Sequence, residues 1–313
     1  MIKPIHLIPS NTDIKFLNLR YYSLGLSSLI VFISLMSTFL IGLNFGIDFR
    51  GGVLFELRAN DGLADISQLR SKLGNLSLGE VSIQEFGNES DVLVRVQKQE
   101  GDDKYQADRI SMVKDILSTQ YEIRRTEFVG PTVGEELKRK GFWAVVLALT
   151  GILLYIWFRF EWQFAIAAII ALFHDVLITI GLFVFTGFEF NLSTVAAVLT
   201  IAGYSINDTV VVFDRLRENL RKYKSLDQYH IMNQSLNETL SRTITTSVTT
   251  LLALASIYFL GGEVLANFSL AMMWGVLIGT YSSIFVAASL LAGFRLRRGD
   301  DDNDDDLSYF KNG

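Results

Sequence analysis

Six apolar runs dominate this chain, and each is close to the roughly 20 residues a helix needs to cross a bilayer. They cover residues 24–43, 142–158, 164–185, 192–213, 244–260 and 265–294. A backbone in lipid must satisfy its hydrogen bonds internally, so runs of this length fold as helices. The expected fold class is an α-helical polytopic membrane protein with six transmembrane helices. The first run exceeds the roughly 7–15 residues of a signal-peptide core and is read as a retained anchor. Composition agrees with this class: half of the 313 residues are hydrophobic and 19% are charged, too apolar for an ordinary soluble domain.

Flanking charges set the orientation. Lys15 and Arg20 precede the first run, Arg159 separates the second and third, and Arg215, Arg217, Arg221, Lys222 and Lys224 follow the fourth. Arg295, Arg297 and Arg298 follow the sixth, whereas the short segments 186–191 and 261–267 contain no Lys or Arg. The positive-inside rule then makes both termini cytoplasmic and the long segment after the first run exported. The expected organisation is a cytoplasmic N-terminus at 1–22, helix 1 at 23–45, an exported domain at 46–140, and helices 2–6 within 141–294. A cytoplasmic acidic tail at 295–313 closes the chain; its run at 300–306 reads as a solvated segment. Residues 214–241 form a cytoplasmic loop, charged and then amphipathic through Ile231, Leu236 and Leu240, and are read as a surface helix or a plain connection.

Within 46–140 the period of the apolar residues changes repeatedly. Alternation at 53–57, 81–86, 92–96 and 121–129 predicts strands, with a turn at 87–90. Ile66, Leu69 and Leu73, and later Ile110, Val113 and Leu117, recur at helical spacing. The resulting order, βαββαβ, suits a ferredoxin-like α+β domain with both helices on one face of an antiparallel sheet.

Several chemistries are excluded or unsupported. There is no cysteine, so disulfides, thiolate metal sites and cysteine nucleophiles are out. His6, His174 and His230 are far apart and match no metal-ligand spacing. The chain lacks a Walker A loop and GxGxxG, and Asn207 stands where a nucleophile elbow would need its second Gly. No enzyme activity, cofactor or metal is expected, and any energy transduction must draw on titratable groups inside the membrane. Asp208 is the first candidate, because a carboxylate within a span costs about 2.5–3.5 kcal/mol on insertion scales. Thr200 and Tyr204 precede it at four-residue steps and extend a polar stripe. Arg242 opens the fifth run, with Thr246 and Thr249 following, and reads either as a functional partner or as a snorkelling anchor. His174 and Asp175 lie mid-span in the third run and could serve a proton path or interhelical hydrogen bonding; adjacent side chains diverge by about 100° on a helix, which disfavours a direct relay between them. Asn207 reads as packing glue beside this secondary polar path. Gly275 and Gly279 form a GxxxG pattern that admits a close neighbouring helix.

Seven ordered segments carry a resemblance. They are Gly46-Ile47-Asp48-Phe49-Arg50-Gly51-Gly52, Phe128-Val129-Gly130-Pro131-Thr132-Val133-Gly134, Phe158-Arg159-Phe160-Glu161-Trp162, His174-Asp175-Val176, the run GYSINDTVVVFDRLREN at 203–219, Leu240-Ser241-Arg242-Thr243 and Gly279-Thr280-Tyr281-Ser282-Ser283. Together with one span, an exported domain and five more spans, this set resembles the SecF family of protein-export membrane proteins, within the RND superfamily. The resemblance implies a bacterial inner-membrane subunit that works with SecD and the SecYEG channel, with YidC and YajC as further candidate partners. It implies use of the proton-motive force to help exported polypeptides finish crossing after the ATP-driven SecA step. The family's span-four aspartate and span-five arginine, here Asp208 and Arg242, are implied in proton movement, and the Gly275/Gly279 face is expected at the SecD interface. Two rival readings are an RND-type small-molecule efflux transporter, which would need a larger exported domain, and a scaffold whose intramembrane charges are dispensable.

Overall fold

The computed structural model describes Pro9 and residues 12–60, 62–74, 76, 81–86, 88–97, 103–261 and 263–296. His6, Arg297, Arg298 and the acidic run 300–306 lie outside the described residues, as do Gly87 and the first residues of the N-terminus. The chain divides into two compact units, one formed by residues 43–145 and 188–195 and the other by residues 1–42, 146–187 and 196–313.

The first of these units is built on four strands, β1 (Gly52–Ala59), β2 (Val81–Phe86), β3 (Asn88–Gln97) and β4 (Tyr121–Val129). Their spatial order is β2-β3-β1-β4, and every pairing is antiparallel. Helices α3 (Ile66–Gly74) and α4 (Asp103–Leu117) complete the βαββαβ order. Register explains the core. Val53, Phe55 and Leu57 of β1 face Val96, Val94 and Val92 of β3, so one side of the sheet is continuously apolar, and Leu69, Leu73, Val113 and Leu117 from the helices close over it. Strand β3 begins at Asn88, within the segment 87–90 expected as a turn.

A buried ion pair pins the far end of the central strands. Asp91 is 2% exposed and accepts from Arg58 Nε at 2.6 Å. The hydrogen bonds from Arg58 hold its carboxyl below the usual carboxylate range, against the opposing effect of burial. A carboxyl with a lowered pKa in the folded state adds stability above its unfolded pKa and loses it as pH falls through the folded value. A fragment spanning 52–129 should therefore give a mixed α/β circular dichroism spectrum, and its melting temperature should fall as pH drops below about 4. Asp91→Ala should cost on the order of 1 kcal/mol at neutral pH by removing the hydrogen bonds between Arg58 and this carboxylate and should flatten the acid dependence. An unchanged acid slope in the variant would remove Asp91 from the account.

The segment before β1 is a short helix, α2 (Ile47–Arg50), ended by two glycines with φ of 72° at Gly51 and 134° at Gly52. Side chains rarely adopt such values, so the double glycine is a backbone requirement. A Cβ on Gly134 would also lie 3.2 Å from Gly51 N, so the chain leading away from β4 is fitted closely against this turn. The same unit contains the 188–195 segment. Glu189 pairs with Arg95, Phe190 packs with Phe45 and Phe49, and Asp48 Oδ2 accepts from Leu192 N at 2.9 Å.

The second unit is helical. Among the described residues, helices α1 (Arg20–Leu40), α5 (Pro131–Arg159), α6 (Trp162–Thr186), α7 (Leu192–Lys222), α8 (Gln228–Leu260) and α9 (Glu263–Tyr281) supply six candidate spans, residues 131–145 of α5 and 192–195 of α7 being counted with the first unit, and α9 continues through a π-helical segment (Ser282–Ala287) into α10 (Ala288–Leu291). Helix α6 is the most buried span. Its Ala165, Ala167, Ala168 and Ala171 present little side-chain bulk to the core, and Gly181 lets Ser34 of α1 approach inside the distance a Cβ would need.

Residues 214–241 are not a loop. Helices α7 and α8 have 31 and 33 residues; at about 1.5 Å each they outrun the ~30 Å hydrocarbon core and carry their charged turns beyond it. Only five residues, 223–227, separate them. The amphipathic start of α8 packs into the bundle instead of lying on a membrane surface: Ile231, Met232, Leu236 and Leu240 are buried. Its polar positions are satisfied across the pair, Asn219 Nδ2 reaching Ser235 Oγ at 2.9 Å and Arg215 Nε reaching Glu238 at 2.6 Å.

Candidate functional site: buried carboxylates among hydroxyls

The inner face of α7 carries Ser205, Asp208, Thr209 and Val212, a spacing of three and four residues that keeps one side turned to the core. Asp208 is 9% exposed. Its Oδ1 accepts from Thr243 Oγ1 of α8 at 2.7 Å, and its Oδ2 is buried with no hydrogen-bond partner among the described residues. Beside it on the same face, Thr209 Oγ1 meets Ser283 Oγ at 2.8 Å.

Arg242 does not pair with Asp208 in this structure. It lies exposed on α8, and the described residues include no ion pair between the two. The neighbouring Thr243 faces inward and holds the carboxylate. Sequence reasoning misses Thr243 because it follows Arg242 along the exposed face, where Thr246 and Thr249 are spent on backbone carbonyls. The stripe through Thr200 and Tyr204 also breaks up. Four-residue steps drift by about 40° each, so Thr200 is exposed, Tyr204 half-buried and Asp208 buried. Asn207 is exposed and is not brought together with His174 or Asp175.

A second carboxylate is enclosed more completely. Asp175 of α6 is 0% exposed. Its Oδ2 accepts from Ser205 of α7 and from Ser282 Oγ at 2.7 Å, and its Oδ1 lies 2.8 Å from His174 Nδ1. The expectation that adjacent residues are poorly placed to meet is therefore corrected. The Cα–Cβ bonds do diverge, but Nδ1 is the ring nitrogen nearer the backbone and it comes within hydrogen-bond distance of Oδ1.

Serines 282 and 283 reach different targets because of the π-helical segment that begins there. Its i→i+5 bonds widen the turn, so two consecutive serines both face inward, one to Asp175 and one to Thr209. Nothing in the residue pattern announces a π segment; the pair Ser282-Ser283 in an apolar span is the available signal. Gly275 and Gly279 are also placed differently from expectation. A Cβ on Gly275 would collide with Ile201, and one on Gly279 would sit 3.0 Å from Ser205 Cβ. The GxxxG face is consumed inside the chain, against α7, and is not free for another subunit.

Buried carboxylates held by hydroxyls from neighbouring helices, among six candidate spans in a chain that also forms a small ferredoxin-like domain, define an integral membrane protein with polar groups inside its spans. Comparison with known proteins gives the family. Residues 109–297 match the family model described as protein export membrane protein SecD/SecF, C-terminal, and residues 37–62 match the SecD/SecF GG motif. The chain is 42% identical to the protein translocase subunit SecF of Rickettsia rickettsii over 301 residues, covering 95% of this chain and 97% of that one. It is 45% identical to SecF of Desulfurispirillum indicum, over 91% of this chain and 92% of that one. A crystal structure of SecDF from Thermus thermophilus, described as a translocon-associated membrane protein, superposes with a TM-score of 0.83 at 37% identity, covering 93% of this chain and 39% of that one. The chain belongs to the SecD/SecF family of protein-export membrane proteins and matches its SecF subunits over nearly their whole length.

Proposed function

We propose that this chain works as the SecF-type half of a SecD–SecF pair on the SecYEG channel, using the proton-motive force to complete export after the ATP-driven SecA step. Asp208 takes up and releases the coupling ion, Arg242 tunes it, and the chain carries out no nucleotide chemistry of its own. The observation that carries this reading is a buried carboxylate oxygen without a hydrogen-bond partner among the described residues, Asp208 Oδ2, inside a span. Such an atom is costly in lipid unless it binds something during function. Partnership with SecD is supported by a stripe of small and polar residues turned away from the chain's own core: Thr200, Gly203 and Asn207 on α7, with Arg242 and Thr246 on α8. Lipid offers such groups nothing, whereas a second set of helices can meet them. Relatives in which both halves share one chain, such as SecDF of Brucella abortus at 43% identity over 40% of its length, fit the same pairing.

The functional test is export into energised inverted vesicles: membranes lacking this chain should lose the uncoupler-sensitive part of export and regain it when the chain is restored. Orientation is tested separately. A reporter active only outside the cell should work when fused at Glu89 and be silent at Ser225; the opposite result would reverse the sidedness proposed for both termini.

A further inference from the structure

Helix α7 ends in a run of charge. Asp214, Arg217, Glu218 and Arg221 recur at steps of three and four residues and so share one face. With Lys222, and with Arg159 from the end of α5, they line an open cavity of about 640 Å³. Both of its carboxylates already hold an arginine. Arg159 Nη2 donates to the two oxygens of Asp214 at 2.8 and 2.9 Å, and Arg215 Nη1 donates to Glu218 at 2.7 Å. Arg217 and Arg221 have no ion pair or hydrogen bond with any described residue, and Arg217 Nε is buried. Lys222 is exposed, its Nζ 5.0 Å from the centre of the Tyr223 ring. The cavity therefore carries unpaired positive charge.

Its position is fixed by aromatic residues. The guanidinium groups of Arg159 and Arg217 lie 5.0 and 5.6 Å from the ring centre of Phe160, which is 6% exposed and packs against Phe164 and Phe213. Cation–π contact holds Arg217 in place and leaves its N–H donors unspent. Trp157 and Phe158 precede Arg159 and Trp162 follows it, and all three are more than half exposed. Exposed aromatic residues at the end of a span mark the boundary between hydrocarbon and headgroups. Arg159 is thus at that boundary, and its bond to Asp214 brings α7 to the same depth. From Asp214 to Arg221 the helix rises about 10 Å, which carries the unpaired arginines through the headgroup layer.

We propose that this cavity binds the headgroup phosphate of an anionic glycerophospholipid, with Arg217 and Arg221 as donors and Lys222 adding charge. A guanidinium fork matches phosphate oxygens in pairs, and basic pockets at the ends of spans are where such headgroups are held. A soluble phosphate compound offers the same oxygens but has no acyl chains to lie along the exposed Trp157, Phe158 and Trp162. A zwitterionic lipid brings its own cation, which the unpaired arginines repel. The binding involves no titration inside the membrane and does not depend on the proton-driven reading above.

The test is native mass spectrometry of the full-length chain in neutral detergent, with phosphatidylglycerol and phosphatidylcholine added in equal amounts and bound lipid counted. The wild type should prefer phosphatidylglycerol by about tenfold or more, each unpaired basic group near the surface contributing about fivefold. Arg217→Gln combined with Arg221→Gln should bring the preference close to unity. Lys138→Gln with Lys140→Gln removes the same charge near the other end of α5 and should leave it unchanged. Arg221 is exposed and bonded to no described residue, so Arg221→Gln alone should fold and should lower the preference by about threefold or more; it decides the matter if the double variant fails to accumulate. Glycerol phosphate in large excess should displace none of the bound lipid. Displacement by it would assign the cavity to a soluble phosphate compound and overturn the lipid reading. Equal binding of the two lipids by the wild type would also overturn it and leave the arginines to an acidic partner chain. An unchanged preference in Arg221→Gln, or an equal loss in the lysine variant, would show that bulk charge and not this cavity selects the lipid.

Discussion

Asp208→Asn removes the uncoupler-sensitive part of export, a loss on the order of tenfold or more in that component, while the protein still inserts and accumulates. The substitution keeps volume and keeps an oxygen for Thr243 Oγ1, which lies 2.7 Å from Oδ1. What it removes is the capacity to titrate. The altered atom is Oδ2, which no described residue bonds, so the cost to folding is small compared with loss of the carboxylate. Flanking variants separate the two residues on α8. Thr243→Ser keeps the hydroxyl and should retain most activity, whereas Thr243→Val keeps the shape without the donor and should lose a substantial fraction, because the carboxylate then loses the hydroxyl 2.7 Å from its Oδ1. Arg242→Lys keeps a charge on an exposed position and should leave partial activity. The assay is translocation into energised inverted vesicles, with and without an uncoupler. Wild-type levels of uncoupler-sensitive export in Asp208→Asn would eliminate this aspartate as the carrier and favour a scaffold whose charges are dispensable.

The second large effect is expected at the α7–α9 contact. Gly275→Ala places a methyl group into the side chain of Ile201, which is 1% exposed and has nowhere to retreat. Overpacking of this kind costs about 1–3 kcal/mol. Ile201→Ala alone leaves a cavity and costs about 2–5 kcal/mol. Combined, the two changes relieve each other, so the double variant should be more stable than the sum of the singles predicts by about 1–3 kcal/mol. Unfolding of the purified protein in detergent measures all three. Strict additivity would show that the helices do not meet at this pair. The contact also bears on the site, since Gly279 brings α9 against Ser205, and Ser205 donates to Asp175. Forcing α7 and α9 apart should loosen that carboxylate's enclosure as well as the bundle.

Local rules were sufficient for some features and not for others. Spans are dictated by chain-local physics: a run of about 20 apolar residues has no stable state in water and one stable backbone conformation in lipid, so all six were legible and all six appear as helices. The α+β domain was legible for a similar reason. Val53, Phe55 and Leu57 alternate and Leu69 and Leu73 recur at helical spacing, and each period requires its own element. Asp208 could be singled out because a carboxylate in lipid is expensive wherever its partner lies.

Which group partners a buried charge is a different kind of fact. It depends on the rotation of each helix about its axis, and that is decided by packing against helices distant in sequence. Thr243 rather than Arg242 faces Asp208 because α8 turns its hydroxyl side to α7, a rotation set jointly with the burial of Ile231, Leu236 and Leu240 on the same helix. Gly275 and Gly279 looked free for a partner, yet α7 of the same chain had already filled them. The π segment at Ser282 aims two adjacent serines at Asp175 and Thr209, targets that lie on other helices. The amino-acid sequence by itself determined how many helices cross the membrane, what lies between them and which groups are too costly to bury without purpose, since these follow from transfer free energies of single segments. Only the tertiary structure decided which hydroxyl answers which carboxylate, because that choice is made by shape complementarity between helices far apart along the chain.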